Sequence, residues 1–247
     1  MLIVFVALLS VVQTQTLTPE RILETHYSDT SVMALSTDGR TLFLGVRDTI
    51  RVLDSETGEP ITSLQHRYPV TSLAVSPEGH YLASGDTVGE LKTWKLADYT
   101  LNADHTGHTG RINSLAFGPD GLLLSGSGDG TAKLWNVASD SPLARMTLPG
   151  DDGAVVTSVA ITSDGKRAAV GDAQHNVWLW NVDAVERDTK PEREKHAQFI
   201  LDNSNADYSA DITTMTFSPD NTQLLFSSAA PFVIAWDLTK NTRVFDE

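Results

Sequence analysis

Apolar residues in this chain fall in short runs broken by polar turns, and the runs recur. Five segments share the arrangement: SVMALSTDGRTLFLGV, VTSLAVSPEGHYLASG, INSLAFGPDGLLLSGS, VTSVAITSDGKRAAVG and ITTMTFSPDNTQLLFS. Each reads as an apolar strand, a polar turn and a second apolar strand, because β-formers alternate between clusters of Gly, Pro, Asp and Ser. The turns end at Gly39, Gly79, Gly121, Gly165 and Asn221, spaced by 40, 42, 44 and 56 residues. Glycine accepts the positive φ of a tight turn, and asparagine tolerates it better than most residues. A third strand places a large apolar residue 14 or 15 positions after each turn, at Leu53, Trp94, Trp135, Trp180 and Trp236. A fourth strand comes next, as in PITSLQH, PLARMTL, HAQFILD and NTRVFDE.

The unit is therefore a four-stranded meander of about 40 residues, the period of propeller blades. One such sheet cannot bury both of its faces; stacked radially, the sheets bury one another, which explains inner strands that are apolar on both faces. The expected fold is all-β, a β-propeller of four-stranded antiparallel blades at about 29–66, 67–106, 107–149, 150–203 and 204–247. Residues 1–28 add a partial sixth blade, from the strands LIVFVAL, SVVQTQTL and ERILETH, or form a leader. On this reading 1–247 is a single propeller domain lacking one inner strand. Unpaired edges and an apolar blade face then call for completion by another chain or a second copy.

Composition narrows the function. The net charge of −14 argues against a nucleic-acid or anionic-membrane surface, both of which need a basic face. With no cysteine there is no disulfide, thiolate chemistry or cysteine–zinc site. MLIVFVALLSVVQTQ is too short an apolar run to span a bilayer as a helix and lacks a basic n-region. A strand pair in a cytoplasmic protein is the expectation there, with export or anchoring as the alternative.

The stretch LLLSGSGDGTAKLWN invites a nucleotide-binding reading, with Gly126, Gly128 and Gly130 as a phosphate cradle. The spacing rejects it. Counted from Gly126, the sixth position is Thr131, not glycine, and Gly130 is followed by Thr131, Ala132 and Lys133 rather than Lys-Ser/Thr. The residues after Gly130, TAKLWN, alternate as a strand, so Asp129-Gly130 is a hairpin turn.

GHTGRINSLAFGPDGLLLSGSGDGTAKLWN (Gly107 to Asn136) resembles the repeat of the WD-repeat β-propellers almost throughout. The resemblance implies a structural hydrogen-bond set of His108, Ser125, Asp129 and Trp135, in which the Asp orients the His and the His bonds the Ser and the indole N–H. Other repeats depart from it. His26 and His66 match His108, but Asp152 and Tyr208 stand at that position later, and Val88, Gln174 and Ala230 replace Asp129. The resemblance further implies a non-catalytic protein-interaction scaffold that binds a protein or peptide through one rim of loops. Candidate rim residues are Arg47, Arg67, Tyr68, Asp86, Arg111, Asp152, His175, Tyr208 and Phe232.

No catalytic constellation or cofactor motif stands out. His105 and His108 in HTGH have no third ligand at a telling spacing, so no metal is expected. The Asp-rich turns serve their own backbone rather than calcium. VERDTKPEREKH, with balanced charge between Glu186 and Lys195, reads as a solvated loop or short helix. The alternative function is a ligand-binding or enzymatic propeller with polar groups converging at the central channel.

Overall fold

The computed structural model describes residues 30–137, 143–147, 154–182, 197–201, 211–228 and 233–246. Among these, twenty strands form five four-stranded sheets. Sheet 1 holds β1 (Thr30–Leu35), β2 (Thr41–Val46), β3 (Thr49–Asp54) and β4 (Pro60–Gln65). Sheet 2 holds β5 (Val70–Val75), β6 (Tyr81–Asp86), β7 (Leu91–Lys95) and β8 (Leu101–His105). Sheet 3 holds β9 (Ile112–Phe117), β10 (Leu122–Ser127), β11 (Thr131–Asn136) and β12 (Ala144–Thr147). Sheet 4 holds β13 (Val156–Ile161), β14 (Arg167–Asp172), β15 (Val177–Asn181) and β16 (Ala197–Leu201). Sheet 5 holds β17 (Ile212–Phe217), β18 (Gln223–Ser228), β19 (Val233–Asp237) and β20 (Thr242–Asp246). Strands pair with their sequence neighbours, so every sheet is an antiparallel meander of the blade type. The N-terminal strands expected before residue 29 and the charged segment Val185 to His196 lie outside the described residues.

Turn chemistry sets the hairpins. Gly39, Gly79, Gly121 and Gly165 have φ of 73°, 71°, 72° and 70°, and Asn221 has 59°. The register then puts Leu82 opposite Trp94, Leu123 opposite Trp135, Ala168 opposite Trp180 and Leu224 opposite Trp236.

The first strands pack on one another in the order β1, β5, β9, β13, β17. Among the described residues no comparable packing joins β17 back to β1, so the sheets form an arc. A separate core fills each gap. Phe43, Val52 and Trp94 meet between sheets 1 and 2, and Ala83, Leu91 and Trp135 between sheets 2 and 3. Leu124, Leu134 and Trp180 fill the next gap, and Ala169, Leu179 and Phe226 the last. The second strands are buried more deeply than the innermost ones. Five of the six residues of β10 are buried, against one of six in β9. In sheets 2 to 4 a neighbouring sheet covers the second strand on each face, whereas the first also borders the central space.

The sheets interlock at one recurring point. Ile112, Val156 and Ile212, which open their first strands, press on Gly85, Gly126 and Gly171 of the preceding sheet's second strand. A Cβ at Gly126 would stand 2.5 Å from Val156 Cγ1, so no side chain fits there without movement. One residue further along, side chains cross the same gap: Ser31 Oγ donates to Val70 O at 2.8 Å, Thr71 Oγ1 to Ile112 O at 2.5 Å and Asn113 Nδ2 to Val156 O at 2.7 Å.

Candidate interaction rim

Among the described residues, the loops that lead into β5, β9 and β13 meet the turns between second and third strands, and together they make one rim. Val70 N donates to Arg47 O, Thr87 N to Pro69 O, Gly128 N to Arg111 O and Ala173 N to Val155 O. Each bond ties a turn to the adjacent entry loop, which fixes the rim backbone.

Sheet 3 carries a continuous polar chain beneath that rim. Asp129 Oδ2 stands 2.8 Å from His108 Nδ1, His108 Nε2 stands 2.7 Å from Ser125 Oγ, and Trp135 Nε1 donates to Ser125 Oγ at 2.8 Å. The carboxylate only accepts, so Nδ1 carries the proton, Nε2 accepts from the serine hydroxyl, and the serine oxygen accepts from the indole. The indole thus bonds Ser125, not His108, whose two ring nitrogens are already engaged. Asp129 Oδ1 also accepts from Thr131 Oγ1 at 2.6 Å and from Thr131 N at 3.0 Å. Burial alone would raise the Asp129 pKa; the hydrogen bonds from His108 and Thr131 outweigh it and hold the carboxyl well below its ordinary range.

The other sheets show what happens when one member is missing. In sheet 4 the serine position is Val170, and the buried Trp180 Nε1 has no hydrogen-bond partner. The turn there is held instead by Asp172, whose Oδ1 accepts from Gln174 N at 2.9 Å and Asn176 N at 2.8 Å. In sheet 5 Phe226 takes the serine position, and Trp236 Nε1 turns to Asn241 Oδ1 at 3.3 Å. Sheet 2 keeps the lower half: His66 Nε2 lies 2.6 Å from Ser84 Oγ, which accepts from Trp94 Nε1 at 2.8 Å. Val88 stands where Asp129 would be, and His66 Nδ1 faces Asp86 Oδ2 at 3.7 Å and Glu90 Oε2 at 3.6 Å. Sequence reasoning misses this grouping. Its one signal is the replacement of the turn aspartate by valine while two other acids flank the same turn.

The rim candidates separate on exposure. Arg47, Arg67 and Arg111 are exposed, as is Tyr68 at 40%. Arg47 sits in the β2–β3 turn with φ of 53°, and His175 in the β14–β15 turn with φ of 71°, its Nδ1 4.0 Å from Asp211 Oδ1. Asp86 corrects the expectation of an exposed contact residue: it is 0% exposed, and its Oδ1 accepts from Val88 N and Glu90 N, both at 2.9 Å. A turn aspartate that caps its own backbone is drawn inward by those bonds. Asp152, Tyr208 and Phe232 lie outside the described residues.

His105 and His108 do not converge on a common point. His105 Nε2 pairs with Thr93 Oγ1 at 3.0 Å, while His108 is committed to sheet 3. On the opposite side of the arc a cavity of about 370 Å³ opens between β9, β13 and β17. Leu115, Phe117, Val159, Ile161, Met215 and Phe217 dominate its wall, which includes no titratable side chain. Among the described residues no helix is long and apolar enough to cross a membrane.

Comparison with known proteins places these features. A family model described as "WD domain, G-beta repeat" matches residues 58–96, 99–136 and 144–181. The chain is 26% identical over 181 residues to "Periodic tryptophan protein 2 homolog" of Schizosaccharomyces pombe, covering 70% of this chain and 21% of that protein. It is 30% identical over 159 residues to human "Striatin-4", covering 58% and 21%. It is 29% identical over 143 residues to "Small ribosomal subunit protein RACK1y" of Oryza sativa subsp. japonica, covering 57% and 41%. The chain thus spans 21% to 41% of the length of these relatives.

Proposed function

Because the chain belongs to the WD-repeat family, we propose that it is a non-catalytic scaffold that binds a partner protein or peptide through the rim. The observation that carries this reading is the set of exposed Arg47, Arg67, Tyr68 and Arg111 on a backbone fixed by bonds between turns and entry loops. Arginine and tyrosine give large contact area and directed hydrogen bonds, and they are enriched among the residues that dominate binding energy. Exposed arginines beside a tyrosine, on a chain of net charge −14, suit an acidic or aromatic peptide. One relative is by its printed name a ribosomal subunit protein, a component of a larger assembly.

Affinity capture from lysate with the whole chain, beside an Arg111→Glu/Tyr68→Ala double variant, tests the rim. Loss of specific partners in the variant is the expected result; an unchanged partner set overturns this choice of face.

The same reading extends to the open end of the arc. Val233 is 45% exposed, whereas the matching residues Ile50, Leu91, Ala132 and Val177 are all 0%. Thr213, in the register of the cross-gap donors, bonds only within its own sheet, to Ser227 O at 3.2 Å and Ser227 Oγ at 2.9 Å. A further four-stranded sheet, from another chain or a second copy, fits that face. Sedimentation of the wild type together with Val233→Lys reads this: a complex of higher mass weakened by the lysine is expected, and equal mass for both overturns it.

A further inference from the structure

His66, Asp86 and Glu90 meet under the β6–β7 turn and form a group that the interaction reading leaves unused. His66 directly succeeds β4, Asp86 ends β6, and Glu90 directly precedes β7. One side of each of the first two residues is already fixed. Ser84 Oγ holds His66 Nε2 at 2.6 Å, and the Val88 and Glu90 amides hold Asp86 Oδ1 at 2.9 Å each. The remaining atoms, His66 Nδ1 and Asp86 Oδ2, are buried and have no hydrogen-bond partner, in residues only 5% and 0% exposed. Glu90 Oε2 completes the group, 3.6 Å from His66 Nδ1, and one ligand atom from each residue lies within 4.8 Å of the others.

Neither tautomer of His66 satisfies this arrangement. A proton on Nδ1 finds its acceptors at 3.6 and 3.7 Å, too far for a hydrogen bond. A lone pair on Nδ1 points at two carboxylate oxygens. Each buried polar atom left in this state has given up water without a replacement partner. Sheet 3 shows the satisfied alternative, in which Asp129 takes Nδ1 at 2.8 Å. With Val88 at that position, the space in front of His66 Nδ1 is bounded by acids that stand back from it.

Separations of this size suit a shared cation. Nitrogen and oxygen ligands each about 2.1 Å from one tetrahedral centre stand roughly 3.4 Å apart, close to the 3.7 and 3.6 Å that separate His66 Nδ1 from the two carboxylates. We propose that His66 Nδ1, Asp86 Oδ2 and Glu90 Oε2 bind a divalent transition-metal ion of the zinc class, with water or a partner's side chain as the fourth ligand. An imidazole with two carboxylates and no thiolate selects borderline ions; magnesium and calcium prefer all-oxygen sites with more ligands. Lys92 Nζ, 3.0 Å from Glu90 Oε2, neutralises that carboxylate without the ion and must yield the oxygen when the ion binds. The bound ion would tie the entry loop carrying Arg67 and Tyr68 to the β6–β7 turn.

The test is calorimetric titration of the chelator-stripped whole chain with zinc and, separately, with magnesium. One saturable zinc site that raises Tm is expected, with no saturable magnesium binding. Glu90→Gln should weaken zinc at least tenfold while leaving the metal-free Tm nearly unchanged, because Glu90 bonds the partly exposed Lys92 rather than the core. Asp86→Asn should weaken it too; if that variant does not fold, Glu90→Gln alone decides. His80→Gln, at an exposed histidine outside the group, should bind zinc as the wild type does. Absence of a saturable zinc site, or zinc affinity unchanged in Glu90→Gln, overturns the proposal.

Discussion

The bonds from Asp129 through His108 and Ser125 to Trp135 join four polar burials into one unit, so removing any member strands the next. Asp129→Ala should destabilise the chain by about 1.5–3 kcal/mol, read by urea unfolding, because His108 Nδ1 loses a charged acceptor. The same carboxylate sets a pH dependence. Its folded pKa is depressed, so its stabilisation is complete above the unfolded value of about 4 and is lost progressively as pH falls from there through the much lower folded value. The Tm gap between wild type and Asp129→Asn should therefore begin to shrink below about pH 4 and keep shrinking as the pH falls further. Sheet 4 offers the converse experiment. Val170→Ser would give Trp180 Nε1 the acceptor that Ser125 provides in sheet 3. The variant should be more stable than Val170→Ala in the wild-type chain, and that advantage should vanish in a Trp180→Phe background.

Between elements, stability rests on shape as much as on apolar area. The second strand of one sheet leaves out a side chain where the first strand of the next sheet presses in, and Gly126 with Val156 is the clearest pair. Gly126→Ala should cost about 1–3 kcal/mol from overpacking. Val156→Ala removes the nearer of the two methyl carbons that the new Cβ would strike, leaving Val159 Cγ1 at 2.7 Å, so the double variant should lose less than the sum of the two single losses. A sum that adds within error would show that the neighbouring strand shifts freely, contrary to the close packing described. The cross-gap donors Ser31, Thr71 and Asn113 reinforce the same joints. The series lapses at Thr157, which bonds Gly171 O of its own sheet at 3.2 Å.

At the scale of the molecule, the same strand position has a different environment depending on its place in the arc. Val177 lies between sheets and is 0% exposed, whereas Val233 on the last sheet is 45% exposed. Val177→Lys should prevent folding or lower Tm sharply, because it buries an unpaired ammonium. Val233→Lys should change thermal stability by no more than about 0.5 kcal/mol while disturbing association at the open end. Equal losses in the two variants would mean that the last sheet is covered in solution by the chain itself.

The sequence by itself determined the local chemistry. Turn glycines and Asn221, period-two strands and the recurring tryptophans fixed the hairpins and the blade length, because φ limits and strand alternation act within a few residues. The bonded set of His108, Ser125, Asp129 and Trp135 was legible only through the resemblance to the WD-repeat pattern, which named its members but put the indole on His108 rather than on Ser125. Whatever depends on two distant segments meeting was left to the tertiary structure. Asp86 reads as an exposed turn acid, yet its backbone bonds and the packing around it bury it beside His66. Gly126 figures in the sequence only as part of a phosphate cradle that the spacing rejects; the structure shows that it is small because Val156 occupies the space its side chain would take. The open face marked by Val233 has the same apolar pattern as the buried ones. Alternation along a strand records that a face is apolar; only the neighbouring sheet decides whether that face is covered.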